Sequence, residues 1–132
     1  MGLRISSLFV LLAGPLLVGC QQGSRLHEVS GQVTFDGDPV EMGEILFESP
    51  NPAIRTEAGR ITKGSYKFNV SPGPYIVRIN AIKAFPLPPG EKTVTGESVE
   101  RRQFLPAKYN AESELKIDVK GATKQDFPLK SE

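Results

Sequence analysis

Apolar and polar residues alternate with a period of two through most of this chain, the pattern of strands with one buried face. Val29, Gly31, Val33 and Phe35 alternate with Ser30, Gln32 and Thr34. Asp36-Gly37 then signals a tight turn, extended by Asp38-Pro39 because proline cannot donate to a ladder. A second strand is predicted over Glu44 to Glu48, with Ile45 and Phe47 on one face and Leu46 on the other. After the loop Ser49-Pro50-Asn51-Pro52, short strands are expected at Ile54 to Glu57 and at Arg60-Ile61-Thr62. Lys63-Gly64 turns, and Tyr66, Phe68 and Val70 alternate with Lys67 and Asn69. Ser71-Pro72-Gly73-Pro74 turns again, with Pro72 before Gly73 suiting a type II turn. The clearest strand follows, with Tyr75, Val77, Ile79 and Ala81 facing inward. Leu115 to Val119 and Gln125 to Leu129 complete the set, Pro128 placing the last strand at a sheet edge.

No stretch of ten or more residues shows helical periodicity. Short strands separated by Gly/Pro turns at intervals of about 8–12 residues predict an all-β fold, an antiparallel β-sandwich of about seven strands. Its expected core takes Val33, Phe35, Ile45, Phe47, Tyr66, Phe68, Tyr75, Val77, Ile79, Leu115, Ile117 and Val119 from one face of each strand. Tyr75, just after a turn, is placed to bury its ring and bond a nearby backbone group in the manner of a tyrosine corner. Lys83 to Asn110 reads as irregular, with part of it pairing as an edge strand. A segment of that length inside a compact domain is uncommon and tends to be functional or mobile.

One apolar run breaks the alternation. Arg4 precedes Ile5 to Val18, which is almost uniformly apolar, and small Gly19 stands before Cys20, the only cysteine. Charge, greasy segment and small residue in this order make a secretory leader. The run is about 14 residues and contains Pro15, too short for a membrane span of about 20. Leu17-Val18-Gly19-Cys20 resembles the lipobox of bacterial lipoproteins. The resemblance implies removal of residues 1–19, a diacylglycerol (with palmitate-type chains) on the Cys20 thiol, a tether over residues 20–26 and a sandwich domain over residues 27–132. Attachment to the membrane would come from this lipid, because two or three acyl chains make a stable anchor where one does not. Gln21, rather than Asp, after the cysteine resembles the outer-membrane class over the inner-membrane one.

Composition narrows the partners. Removing residues 1–19 from the 132 leaves 113 with one fewer positive charge, so 15 Lys and Arg face 15 Asp and Glu. A neutral chain with no basic stripe lacks the electrostatic footprint of nucleic-acid binding. With Cys20 acylated, no second cysteine remains for a disulfide, so packing alone must hold the fold.

The turn residues resemble a known module. Val29 to Val40 with Gly43 to Phe47, then Gly64-Ser-Tyr66-Lys-Phe68 and Pro72-Gly73-Pro-Tyr75-Ile-Val77, are similar to carboxypeptidase regulatory-like domains. Leu105-Pro106-Ala-Lys-Tyr109-Asn110 is similar to the tail of small lipoproteins carrying one such domain. The resemblance implies a transthyretin-like (prealbumin-like) sandwich and an accessory role. It does not by itself assign an activity. Hydroxyisourate hydrolases, the enzymes of that fold, rely on several histidines, and this chain has one, His27.

Candidate chemistry is sparse. One histidine beside the tether offers no nucleophile–base pair and no zinc cluster, so neither a catalytic set nor a cofactor is expected. Asp36, Asp38, Glu41 and Glu44 crowd one turn and are the only calcium candidates, against the simpler reading of solvated turn acids. Pro86-Leu87-Pro88-Pro89 suits either polyproline II or a stiff loop. For a glycan or an envelope protein, the candidate surface is the Lys83–Asn110 segment, because Phe85, Phe104 and Tyr109 are the aromatic residues expected on loops. The alternative is that these rings cap one end of the sandwich and tie the segment down. The expected role is thus a structural or interacting, non-catalytic, extracytoplasmic lipoprotein.

Overall fold

The computed structural model describes Gly2 and residues 25–132. Cys20 and its neighbours Leu17, Val18 and Gly19, with the rest of the predicted leader, lie outside the described residues apart from Gly2. The strands are β1 (His27–Phe35), β2 (Asp38–Pro39), β3 (Met42–Glu48), β4 (Glu57–Thr62), β5 (Ser65–Val70), β6 (Gly73–Pro86), β7 (Val99–Gln103), β8 (Lys116–Val119), β9 (Thr123–Lys124) and β10 (Phe127–Leu129). Among the described residues a single 3₁₀ turn, Ala107–Tyr109, interrupts them, and no helix is long and apolar enough to cross a membrane.

These strands form a curled β-sandwich ordered β10-β1-β5-β4-β3-β6-β7, with β2 and β9 also on β1 and β8 also on β6. The all-β expectation holds, with two refinements. Among the described residues there are ten strands rather than about seven, because β2 and β9 are two-residue pairings and β7 is the returning arm of a hairpin. Most pairs are antiparallel, yet β9 and β10 both run parallel to β1. After β8 the chain crosses to β1 and enters alongside it at Val29↔Thr123. It then continues in the same direction to Phe35↔Leu129. As Pro128 requires, β10 is an edge strand.

The alternating residues fill the interior. Val29, Val33, Ile45, Phe47, Ile61, Val70, Val77 and Ile79 are wholly buried, each such side chain contributing about 1.5–3 kcal/mol of transfer free energy. Phe47 lies 5.0 Å edge-to-face from Phe68 and 5.6 Å from Tyr75, which ties β3 to β5 and β6. Phe35, Phe68 and Leu115, expected in the core, are half-buried and pack against it. Val40, Leu105, Phe127 and Leu129 join the core from turns and the last strand.

Three local expectations change. Ile54 to Thr56 is not a strand. Asn51 accepts the Ala53 N–H on its side chain at 3.0 Å and the Ile54 N–H on its carbonyl at 3.0 Å, which closes a turn, and β4 instead runs unbroken from Glu57. Gly73 has φ of 146° and already pairs with Val119, so Pro72-Gly73 is the entry to β6 rather than a type II turn, which needs φ near +80°. The Lys83–Asn110 segment is less irregular than expected and supplies the expected edge strand: β6 continues to Pro86, and β7 pairs with it from Ile82↔Gln103 to Pro86↔Val99. The turns at Asp36-Gly37 and Lys63-Gly64 have positive φ at both corners, the hairpin geometry whose twist matches the flanking strands.

Candidate functional site

The pairing registers give the sandwich two distinct ends. Gln32 pairs with Ser65, Ser65 with Thr62, Thr62 with Met42, and Gly43 with Ala81, so these residues line one end. His27 pairs with Val70, Phe47 with Glu57, Glu48 with Ile76, and Gly73 with Val119 at the other. The chain therefore enters β1 from Arg25 and Leu26 at the second end. The β6–β7 hairpin leaves from the first. The nine residues of β1 separate the two, a distance of roughly 30 Å.

Beyond Ala81 the hairpin is a two-stranded ribbon whose five residue pairs have no third strand on either side among the described residues. One face carries Lys83, Phe85, Glu100 and Arg102, and the other carries Ile82, Ala84, Pro86, Val99 and Arg101. The Arg102 guanidinium sits 4.2 Å from the centre of the Phe85 ring, a cation–π contact worth about 0.5–1 kcal/mol at an exposed site. Arg101 pairs with Glu97 at 2.9 Å. The prolines do not make a free polyproline segment. Leu87 N–H donates to Ser98 C=O at 2.9 Å, extending the ladder past Pro86. At the tip, Thr93 N–H donates to Glu97 C=O, and Gly96 N–H to Thr93 C=O, both at 2.8 Å, which holds Val94 fully exposed at the apex.

The three candidate aromatic residues are not brought together. Phe85 is half-exposed on the ribbon. Phe104 turns inward and meets Phe35 edge-to-face at 5.6 Å. Tyr109 ties the chain end down: its hydroxyl donates to Lys130 C=O at 2.9 Å and accepts Lys130 N–H at 2.8 Å. Phe104 and Tyr109 thus cap the sandwich, and Phe85 alone of the three is presented outward. At the ribbon's base Phe35, Pro39, Val40, Ile82 and Phe104 line a small notch of about 150 Å³, rimmed by Asp38, Glu41 and Lys83. A wider open groove of about 470 Å³ lies at the opposite end between Pro50, Pro74, Ile76 and the β8 residues Lys116, Ile117 and Asp118. Sequence reasoning missed this groove because it depends on β8 docking beside β6, a pairing between distant segments.

The acidic turn does not gather into a site. Asp36 accepts the Ser131 N–H at 2.9 Å, and this bond holds its carboxyl below the usual aspartate value. Asp38 pairs in β2 with Phe35, and Glu44 faces Asn80 and Arg60 across β3. Among the described residues no three His, Cys, Asp or Glu side chains come close enough to share an ion. His27 opens β1 opposite Val70. Arg78 makes three side-chain hydrogen bonds, donating to Glu48 and to the carbonyls of Asn110 and Ala111. It pins the segment before β8 to the sheet.

The chain matches no protein-family model. No curated protein matches its sequence. Two solved structures are similar in part. A DUF3823 family protein from Bacteroides ovatus is 18% identical with a TM-score of 0.47, over 79% of this chain and 44% of that one. A 9R-lipoxygenase from Cyanothece is 11% identical with a TM-score of 0.32, over 95% of this chain and 18% of that one. The chain spans less than half the length of either.

Proposed function

We propose that this chain is a lipid-anchored, extracytoplasmic β-sandwich of the bacterial cell envelope, with a structural or interaction role and no catalysis of its own. The observation that carries the reading is Leu17-Val18-Gly19-Cys20 closing an apolar run that follows Arg4. The architecture is compatible with it. The chain enters the sandwich at one end, leaving the ribbon at the far end free to meet a partner. The motif residues similar to carboxypeptidase regulatory-like domains fall on β1 to β3 and β5 to β6, and they support assignment to that transthyretin-like group. Gln21 supports the outer membrane as the destination.

Fractionation tests the anchor. The native chain is expected in the membrane pellet and resistant to alkaline washing, and Cys20→Ser to lose that resistance. An unchanged distribution for Cys20→Ser would overturn the reading.

A second reading, binding of a glycan or an envelope protein through the Lys83–Asn110 segment, is supported by one observation: the half-exposed Phe85 on a ribbon that stands clear of the sandwich. A glycan array or an envelope pull-down with signal abolished by Phe85→Ala would support it. Signal indifferent to that change would remove the ribbon face as the site.

A further inference from the structure

We infer that two copies of this chain pair edge to edge through β7, making a four-stranded sheet from their two ribbons. Three observations carry this. First, the ribbon projects from the sandwich as two strands with no third among the described residues, and a third strand adds stability to a two-stranded ribbon in water. Second, the outer edge of β7, unpaired among the described residues, has a defined set of backbone donors and acceptors. Phe104 N–H donates to Ala81 C=O, and Ser98 C=O accepts from Leu87 N–H. In an antiparallel pair alternate residues bond to the same neighbour, so the even-numbered residues face β6. Val99, Arg101 and Gln103 then turn their N–H and C=O groups to the open side.

Third, that parity limits how β7 can pair with itself, and charge selects among the options. A register centred on Glu100 sets Glu100 against Glu100, and one centred on Arg102 sets Arg102 against Arg102. The register centred on Arg101 sets Glu100 against Arg102 of the second copy, twice by symmetry, and Val99 against Gln103. These Glu–Arg positions are the non-hydrogen-bonded pairs, where side chains approach most closely. The one like-charged pair, Arg101 with Arg101, is offset because each guanidinium already holds its own Glu97 at 2.9 Å. Of the registers that this parity allows and that keep three or more of the residues Val-Glu-Arg-Arg-Gln paired, only this one sets opposite charges against each other within β7.

Antiparallel pairing reverses the second copy, so the two sandwiches lie at opposite ends of the shared sheet with their Arg25 ends outermost, roughly 80 Å apart. If Cys20 is acylated, as proposed above, the Arg25 ends that follow the two anchors face away from each other. The pairing itself does not depend on the anchor.

Sedimentation velocity on the full chain in detergent, with small-angle scattering for shape, tests the pairing. The native chain is expected to be an elongated dimer. Glu100→Arg, which puts arginines against arginines, is expected to weaken dimerisation at least about tenfold. The double exchange Glu100→Arg with Arg102→Glu restores the opposite charges and is expected to restore the dimer. It also leaves a cation directly opposite Phe85. Unchanged thermal unfolding of all three would separate loss of pairing from loss of fold. A native chain that stays monomeric, or a dimer indifferent to Glu100→Arg, would overturn the inference, the charges then serving only to guard the edge.

Discussion

Tyr66 and Tyr75 each bury an aromatic ring and must find an acceptor for the hydroxyl. Tyr66 donates to Gln125 C=O and so locks the crossing segment before β10 onto β5. Tyr75 donates to Ser71 C=O at 2.8 Å, four residues upstream, which is the tyrosine-corner geometry expected from its place after a turn. Tyr75→Phe keeps the ring and deletes the bond. It should cost about 1 kcal/mol and lower the melting temperature by about 4 °C, measured calorimetrically. Burial pushes the pKa of the Tyr66 hydroxyl well above its ordinary value near 10. The unfolded chain therefore releases this proton first as pH rises, so the contribution of Tyr66 is complete below about pH 10 and is lost above it. Denaturant titrations between neutral pH and pH 11 should show falling stability, blunted in Tyr66→Phe; equal alkaline loss in both would contradict this. Asp36 acts in the opposite sense: the stability from its bond to Ser131 is complete above the ordinary aspartate range and is lost as pH falls below that range, through the lowered value of the folded chain. Gly31 is a steric requirement, since a Cβ there would meet the Gln125 carbonyl oxygen at 1.8 Å. Gly31→Ala should destabilise by at least about 1–3 kcal/mol, read as a lower denaturation midpoint.

At the scale of elements, the legible parts were those fixed by local pattern. Period-two alternation located β1, β3, β5, the first half of β6, β8 and β10, and dipeptides such as Asp36-Gly37 and Lys63-Gly64 located their turns. The strand misplaced at Ile54 failed because a side-chain bond from Asn51 outweighed a short apolar run. β7 was hard to read because Val-Glu-Arg-Arg-Gln shows no alternation. A ribbon exposed on both faces needs none, and its partner strand lies across the tip loop. The parallel pairings of β9 and β10 with β1 were invisible because they join residues almost a hundred positions apart. One turn can be improved on this understanding. Lys63 holds φ of 50°, which disfavours an ordinary side chain and suits asparagine. Lys63→Asn should raise stability by about 0.5–1 kcal/mol, a gain measurable by urea unfolding.

For the whole molecule, the two ends carry different parts of the account. The entry of the chain, the wide groove beside β8 and the start of β1 share one end. The ribbon, the aromatic cap of Phe35 and Phe104, and the Tyr109 clasp on Lys130 share the other. Of the proposed site residues, Phe85 gained a setting, Phe104 and Tyr109 proved to be fastenings, and Cys20 stands outside the described residues. The reading of the molecule as an anchored envelope domain therefore rests on the chemistry of one thiol. Mass spectrometry of the protein from the membrane fraction tests it most directly. A chain that begins at Cys20 and carries a diacylglycerol on its sulfur is expected. A full-length chain with residues 1–19 attached and an unmodified Cys20 would contradict it.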